Sequence, residues 1–262
     1  MFSRFRIKKI GFLAALAVFL FVGAATYASH SWGGYHWART ANPFIVKLGD
    51  NVSTAWEDYL AESSVDWSQS AVLDTSIVPG STHPRLCRAA SGRIEVCNSK
   101  YGYNGWLGIA SIWVSGGHIT KGTVKLNDSY FNKSVYNKPA WRRLVMCQEI
   151  AHVFGLSHQD ENFYNTNLQS CMDYTANPDG PPSNEHPNTH DYQQLEEIYA
   201  HVDSMTTLSQ SISNKAQNNI NIENWLNFTK KDFGDMGGKF SVLEHHLGNG
   251  DKLVEFITWL PE

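Results

Sequence analysis

The chain has 262 residues, a formal charge of −4 at neutral pH, and 9 Trp, 11 Tyr and 13 Phe. An acidic balance speaks against a nucleic-acid partner, and this aromatic content excludes a disordered chain. The length suffices for one well-buried domain with an appendage.

Residues 1–28 open with Arg4, Arg6, Lys8 and Lys9, followed by a mostly apolar run and the small residues Thr26 and Ala28. This reads as a secretory signal cut before Ser29; the alternative is an uncleaved anchor, because the run approaches the length of a bilayer span. Either places the rest outside the cytoplasm, secreted or extracytoplasmic, with no stable membrane association unless the segment is retained. Removing it leaves 17 basic against 25 acidic residues, a formal charge of −8. In such a compartment the four cysteines favour disulfides. The expected pairs are Cys87–Cys97, closing a hairpin-like loop, and Cys147–Cys171, a crosslink contributing about 3 kcal/mol. A structural metal site fits less well, since no C-x-x-C pair occurs.

From Pro43 to Gly49, PFIVKLG reads as a strand, and Ser53 or Thr54 is a candidate cap for a helix carrying Trp56, Tyr59 and Leu60. VLDTSIV and RIEVC are further strands. WLGIASIWV and HITKGTVKLN form a strand pair joined by Gly116 and Gly117, the first apolar enough for a buried strand beside a cleft. His118, alone on its strand, reads as hydrogen-bonded structure rather than a ligand. Pro139 starts a helix whose apolar residues Leu144, Val145, Ile150, Ala151 and Phe154 face the sheet. Residues 159–170 are polar loop, and THDYQQLEEIYAHVD is a closing amphipathic helix. Residues 29–203 make the main domain, 204–221 a polar linker, and 222–262 a C-terminal appendage with a hairpin about Gly248–Asp251.

The chemistry concentrates in CQEIAHVFGLSH, residues 147–158. Gln148 and His152 lie one helical turn apart on one face, with Glu149 at its rim. Gly155 tolerates positive φ, so the chain can turn and return His158 toward His152. This is the geometry of H-E-x-x-H-x-x-G-x-x-H, in which three histidines hold zinc and the glutamate is the general base, with Gln148 in the first histidine's place.

These residues, with Met172 in SCMDY, resemble the metzincin metallopeptidases, nearest the matrixin and gametolysin-like branches, over about residues 35–203. The resemblance implies an α+β fold: a twisted mixed β-sheet, an active-site helix, a tight methionine-bearing turn at Met172 under the metal, and a closing C-terminal helix. It implies His152 and His158 as metal ligands and Glu149 as base. Tyr174 stands where some branches place a tyrosine that steadies the oxyanion, and Leu107, Gly108, Ile109 and Ala110 lie on the edge strand along which an extended peptide or protein substrate binds.

A glutamine oxygen is a poorer zinc donor than imidazole. Gln148 is then a weaker ligand, opening the site to another divalent metal; or Asp160, His186 or His190 replaces it; or the site is degenerate. Asp160 reads best as a partner for a ligating histidine or an exposed charge. The leading expectation is a secreted zinc-dependent endopeptidase. The alternative is a non-catalytic binding protein on the same scaffold, and a surface adhesin working through its tail has no motif behind it.

Overall fold

The computed structural model describes residues 30–208 and 242–261. The signal expected at 1–28 and most of the linker lie outside them. Among the described residues no helix is long and apolar enough to cross a membrane.

The elements, in order, are β1 (His36–Trp37), β2 (Phe44–Asn51), α1 (Glu57–Trp67), β3 (Leu73–Pro79), β4 (Ile94–Ser99), β5 (Trp106–Ser115), β6 (His118–Asn127), α2 (Asp128–Phe131), α3 (Pro139–His152), α4 (Thr189–Ile198), β7 (Val242–Gly248) and β8 (Asp251–Trp259). The strands form one mixed sheet in the order β3-β2-β4-β6-β5-β8-β7, with β1 beside β6. β1, β2, β3, β4 and β6 pair in parallel, whereas β5 runs antiparallel to both β6 and β8. This is an α+β architecture with a mixed sheet and few helices.

Local chemistry accounts for most boundaries. β2 alternates buried Phe44, Val46 and Leu48 with exposed Ile45 and Lys47, the period of a half-buried strand. α1 is not capped by Ser53 or Thr54: its N-cap position is Trp56, without a side-chain bond, and Ser53 offers only its carbonyl to the Trp56 amide. α3 starts with Pro139, whose missing N–H is harmless there. It stops before Gly155 at φ +101°, where a Cβ would stand 2.3 Å from the Tyr35 carbonyl oxygen. α4 is held by a capping box in which Asn188 accepts from the Asp191 amide and Asp191 accepts from the Asn188 amide.

α3 is the axis of the molecule. Two buried indoles grip its backbone and C-terminal exit, Trp67 donating to the Cys147 carbonyl at 3.2 Å and Trp37 to the Val153 carbonyl at 2.9 Å. The Tyr199 hydroxyl donates to the Phe154 carbonyl at 2.8 Å. Both expected disulfides are present, Cys87–Cys97 and Cys147–Cys171. The second ties α3 to the segment that carries Met172.

One expectation about the sheet is corrected. β5, with Leu107 to Ala110, is not an edge strand: β8 pairs along it, Gly108 with Thr258, Ile109 with Ile257 and Ala110 with Phe256. The hairpin expected about Gly248–Asp251 is present, and of the two placements the sequence left open it takes the one packed on the main domain, extending the sheet. Leu253, Val254, Phe256, Ile257 and Trp259 give β8 enough buried apolar surface to drive that pairing. The body also runs past residue 203, since Thr207 exchanges hydrogen bonds with the Ala38 backbone where a free linker was expected.

Candidate metal centre

His152 ends α3, and Gly155 turns the chain so that His158 comes back beside it. The two Nε2 atoms are 3.0 Å apart, with the rings nearly perpendicular. Each ring's other nitrogen has a partner. His152 Nδ1–H donates to the Leu156 carbonyl at 2.9 Å, and His158 Nδ1–H donates to the Glu161 carboxylate at 2.9 Å. These partners select the tautomers in which both Nε2 atoms carry lone pairs. Two lone pairs facing each other at this distance repel unless a proton or a cation lies between them. Second-nitrogen bonds to a carbonyl and a carboxylate are the support that metal-binding histidines receive.

Burial sets the electrostatics. His152 is wholly buried, which holds its pKa well below the ordinary histidine value, and the neighbouring His158 lowers it further. Glu149 is also wholly buried, and its carboxyl is pushed up to about 8 by that burial. Its oxygens lie near the Thr258 hydroxyl and the Ala110 backbone without a well-formed hydrogen bond to either. The absence of a side chain at Gly108 makes room for it, since a Cβ there would lie 2.3 Å from Glu149 Oε1.

Gln148 has both ends of its amide engaged. Its Nε2 donates to the Cys171 carbonyl at 2.9 Å, and its Oε1 accepts from the Thr258 hydroxyl at 2.6 Å. Met172 is buried in a tight turn closed by the Asp173 amide on the Ser170 carbonyl, and its own carbonyl accepts from the Gln159 amide at 2.6 Å. Tyr174 sets its ring 4.4 Å from that of His158, tilted by 54°, and its hydroxyl donates to the Ile257 carbonyl at 3.0 Å.

The expected residues Gln148, Glu149, His152, His158 and Tyr174 are therefore gathered at one place. What was not expected is the cover. Phe256 stacks on His152 at 4.5 Å and 7°, so the face of α3 expected to look into an open cleft looks at β8. The cause is the strand pairing on β5, for which the local sequence carries no signal.

The substitute ligands fare differently. Asp160 is not the partner of His158; that place belongs to Glu161, and the Asp160 carboxylate accepts instead from the Asn162 amide. The signal was present in the adjacent residue, and one position along the loop changes which carboxylate points back. His186 bonds Asp66 of α1 at 2.7 Å, where its pKa is raised first by that bond. His190 meets His30 Nε2 at 3.0 Å and the Gln159 amide. His30 went unnoticed in the sequence. It is buried, donates through Nδ1 to the Ser157 carbonyl, and has its pKa pushed down to about 4, first by burial and then by nearby His190 and His158.

His152 and His158 fit a divalent metal by distance and tautomer. Gln148 Oε1, the candidate third donor, has one lone pair engaged by the Thr258 hydroxyl.

No family model matches this chain, and no curated protein matches it. Among solved structures, two of myroilysin overlap it at 12% identity. One has a TM-score of 0.35 over 62% of this chain and 82% of the other, and the second 0.36 over 66% and 95%. High choriolytic enzyme 1, a hatching enzyme zinc-protease from Oryzias latipes (medaka fish), overlaps at 10% identity with a TM-score of 0.34, over 63% of this chain and 94% of the other. Overlap this loose says nothing about activity, which has to be argued from the side chains.

Proposed function

We propose that this chain is an exported metal-dependent endopeptidase of metzincin type, held latent by its own C-terminal strand. The observation that carries the proposal is the pair of buried imidazoles with fixed tautomers and facing lone pairs, one turn from the buried carboxylate of Glu149. Two disulfides suit an oxidising compartment.

In this reading His152 and His158 hold the metal, and Gln148 Oε1 joins them once Thr258 withdraws. Zinc, or another divalent cation admitted by the amide ligand, supplies Lewis acidity and a water of lowered pKa when bound. The chain's own groups do the rest. Glu149 takes the proton of the attacking water and returns it to the leaving amine. Tyr174 donates its hydroxyl to the oxygen of the scissile carbonyl. The substrate peptide lies extended against Leu107, Gly108, Ile109 and Ala110, sharing the ladder that β8 now uses.

Latency is supported by what β8 occupies. Its Ile257 carbonyl receives the Tyr174 hydroxyl, and its Thr258 hydroxyl holds Gln148. A substrate therefore has to displace β8 from β5 before it meets any of these groups.

A second reading, a binding protein on the same scaffold, is favoured by one observation: both ends of the Gln148 amide are already engaged. Metal analysis and a peptide-library cleavage assay separate the two. The enzyme reading expects zinc that is lost in His152→Ala, and cleavage that is lost in Glu149→Ala while zinc is kept. Metal-free protein that cleaves nothing, even with β8 loosened, would leave the binding reading. If Gln148→His leaves zinc affinity unchanged, Gln148 is not a ligand.

A further inference from the structure

A second group of metal-capable side chains lies at the other end of α4, formed by β1, the start of β6 and the residues after the helix. His36 and His118 are register partners in the parallel β1–β6 pair, and their rings meet edge to face at 4.9 Å. His201 and Asp203 arrive from the segment after α4. His201 Nε2 lies 3.2 Å from His36 Nε2, and Asp203 Oδ1 lies 3.5 Å from His36 Nε2 and 3.6 Å from His201 Nε2. His118 Nε2 is 3.2 Å from the same Oδ1.

Those spacings are informative. Four ligands set tetrahedrally at zinc's usual bond lengths of about 2.0–2.1 Å have their donor atoms about 3.3 Å apart. The three edges of the His36, His201 and Asp203 triangle fall around that value. Orientation agrees with distance: His36 Nδ1–H donates to the Gly34 carbonyl at 2.8 Å, so the neutral ring presents a lone pair at Nε2. That lone pair faces a carboxylate oxygen and a second imidazole nitrogen, an arrangement that a cation completes and that a hydrogen on His201 Nε2 fills in its absence. The carboxylate is itself oriented, because Asp203 Oδ2 accepts from Arg39 Nη1 at 2.9 Å and from the Arg39 amide at 3.1 Å, leaving Oδ1 for the histidines.

We infer that His36, His201 and Asp203 bind a divalent d-block cation, zinc by its preference for imidazole and carboxylate in this geometry, with the remaining position left to solvent and His118 holding the Asp203 carboxylate by a hydrogen bond. Such an ion is a clamp, not a reaction centre. It fastens β1, ahead of β2, to the segment after α4, joining parts of the chain that are far apart in sequence. The inference does not depend on the peptidase reading, which concerns different histidines.

The test is zinc content and stability of the full chain beside His201→Ala, His152→Ala and the double variant, each checked for folding by circular dichroism. The His201 side chain is 57% exposed, so its removal leaves no cavity. His201→Ala is expected to lose one zinc ion per chain whether or not His152 is present. The chelator-induced fall in Tm that His152→Ala retains is expected to vanish in the double variant. Cobalt-substituted His152→Ala is expected to show tetrahedral absorption bands that His201→Ala abolishes. Equal zinc content and equal chelator response in the full chain and His201→Ala would overturn the site. If His201→Ala loses its ion while His152→Ala loses none, the clamp stands and the peptidase reading falls.

Discussion

Phe256→Ala is the perturbation that most directly asks whether β8 is a removable cover. Phe256 is fully buried, its ring stacked on His152 and edge-on to Trp32. Truncating a buried phenylalanine costs about 3–5 kcal/mol, the lost transfer energy plus the residual cavity. If β7 and β8 dock as a unit on an otherwise complete body, that whole cost falls on the docking equilibrium. At one decade per 1.36 kcal/mol, the open population rises between about a hundredfold and a few thousandfold. If β8 is instead an integral strand, the same cost falls on global unfolding and lowers Tm by about 6–20 °C for a domain of this size.

Native-state hydrogen exchange distinguishes these outcomes. Docking predicts that amides of β8 and their partners on β5 lose protection while those of β2 and β4 keep theirs. It also predicts that cleavage of a quenched-fluorescence peptide rises with the open population and is silenced by Glu149→Ala. Val46→Ala, a buried change in β2, should lower Tm without either effect. Protection lost equally from β8, β2 and β4, with no gain in cleavage, would refute the idea of a cover.

Three further outcomes follow from single contacts. Gly108→Ala puts a methyl group 2.3 Å from Glu149 Oε1; it should cost about 1–3 kcal/mol by overpacking and lower peptidase activity in a Phe256→Ala background, read from melts and initial rates. Asp191 is buried, with its carboxyl pushed up to about 6, first by burial. Its folded pKa lies above the unfolded one, so its contribution is full below about pH 4 and is lost as pH rises through about 6, a change of about 3 kcal/mol. Asp191→Asn removes that slope, and denaturant melts from pH 4 to 7 should show the stability difference between the two proteins drifting with pH; a constant difference would refute the assignment. Replacing Cys147 and Cys171 together by serine should lower stability by about 3 kcal/mol and weaken zinc binding at His152, as measured by melts and metal titration.

The parts legible in the sequence were those whose cause is local. α3 could be placed because Pro139 and Gly155 mark its limits and the apolar residues between them keep a helical period. The β5–β6 pair announced itself through Gly116 and Gly117, and the disulfides through an even cysteine count in a chain expected to be exported. His152 and His158 meet because Gly155 turns the chain between them. The cover was illegible because an antiparallel ladder between residues near 109 and 257 leaves no trace in either segment's own pattern. A hairpin about Gly248–Asp251 was visible; where it docks was not. Glu149's burial follows from that docking and was hidden with it. His118 has the hydrogen-bonded role read for it, its Nε2 meeting the Asp203 carboxylate at 3.2 Å, but the neighbouring cluster was hidden, because only the β1–β6 register and the path after α4 bring His36, His201 and Asp203 together.

Gln148 takes on a different meaning once its partners are known. A histidine at 148 could donate through one nitrogen to the Cys171 carbonyl, but its other nitrogen would then face the site as a ligand whether or not β8 were docked. The amide instead divides its two ends between the turn that carries Met172 and the covering strand. With β8 in place, its oxygen is satisfied by Thr258. With β8 gone, that oxygen faces an uncovered cleft, where water, a bound cation or a donor on an incoming peptide takes the place of the hydroxyl. In the proposed peptidase, Gln148 thus links the turn that carries Met172 to the covering strand, and release of β8 frees the lone pair that Thr258 now holds.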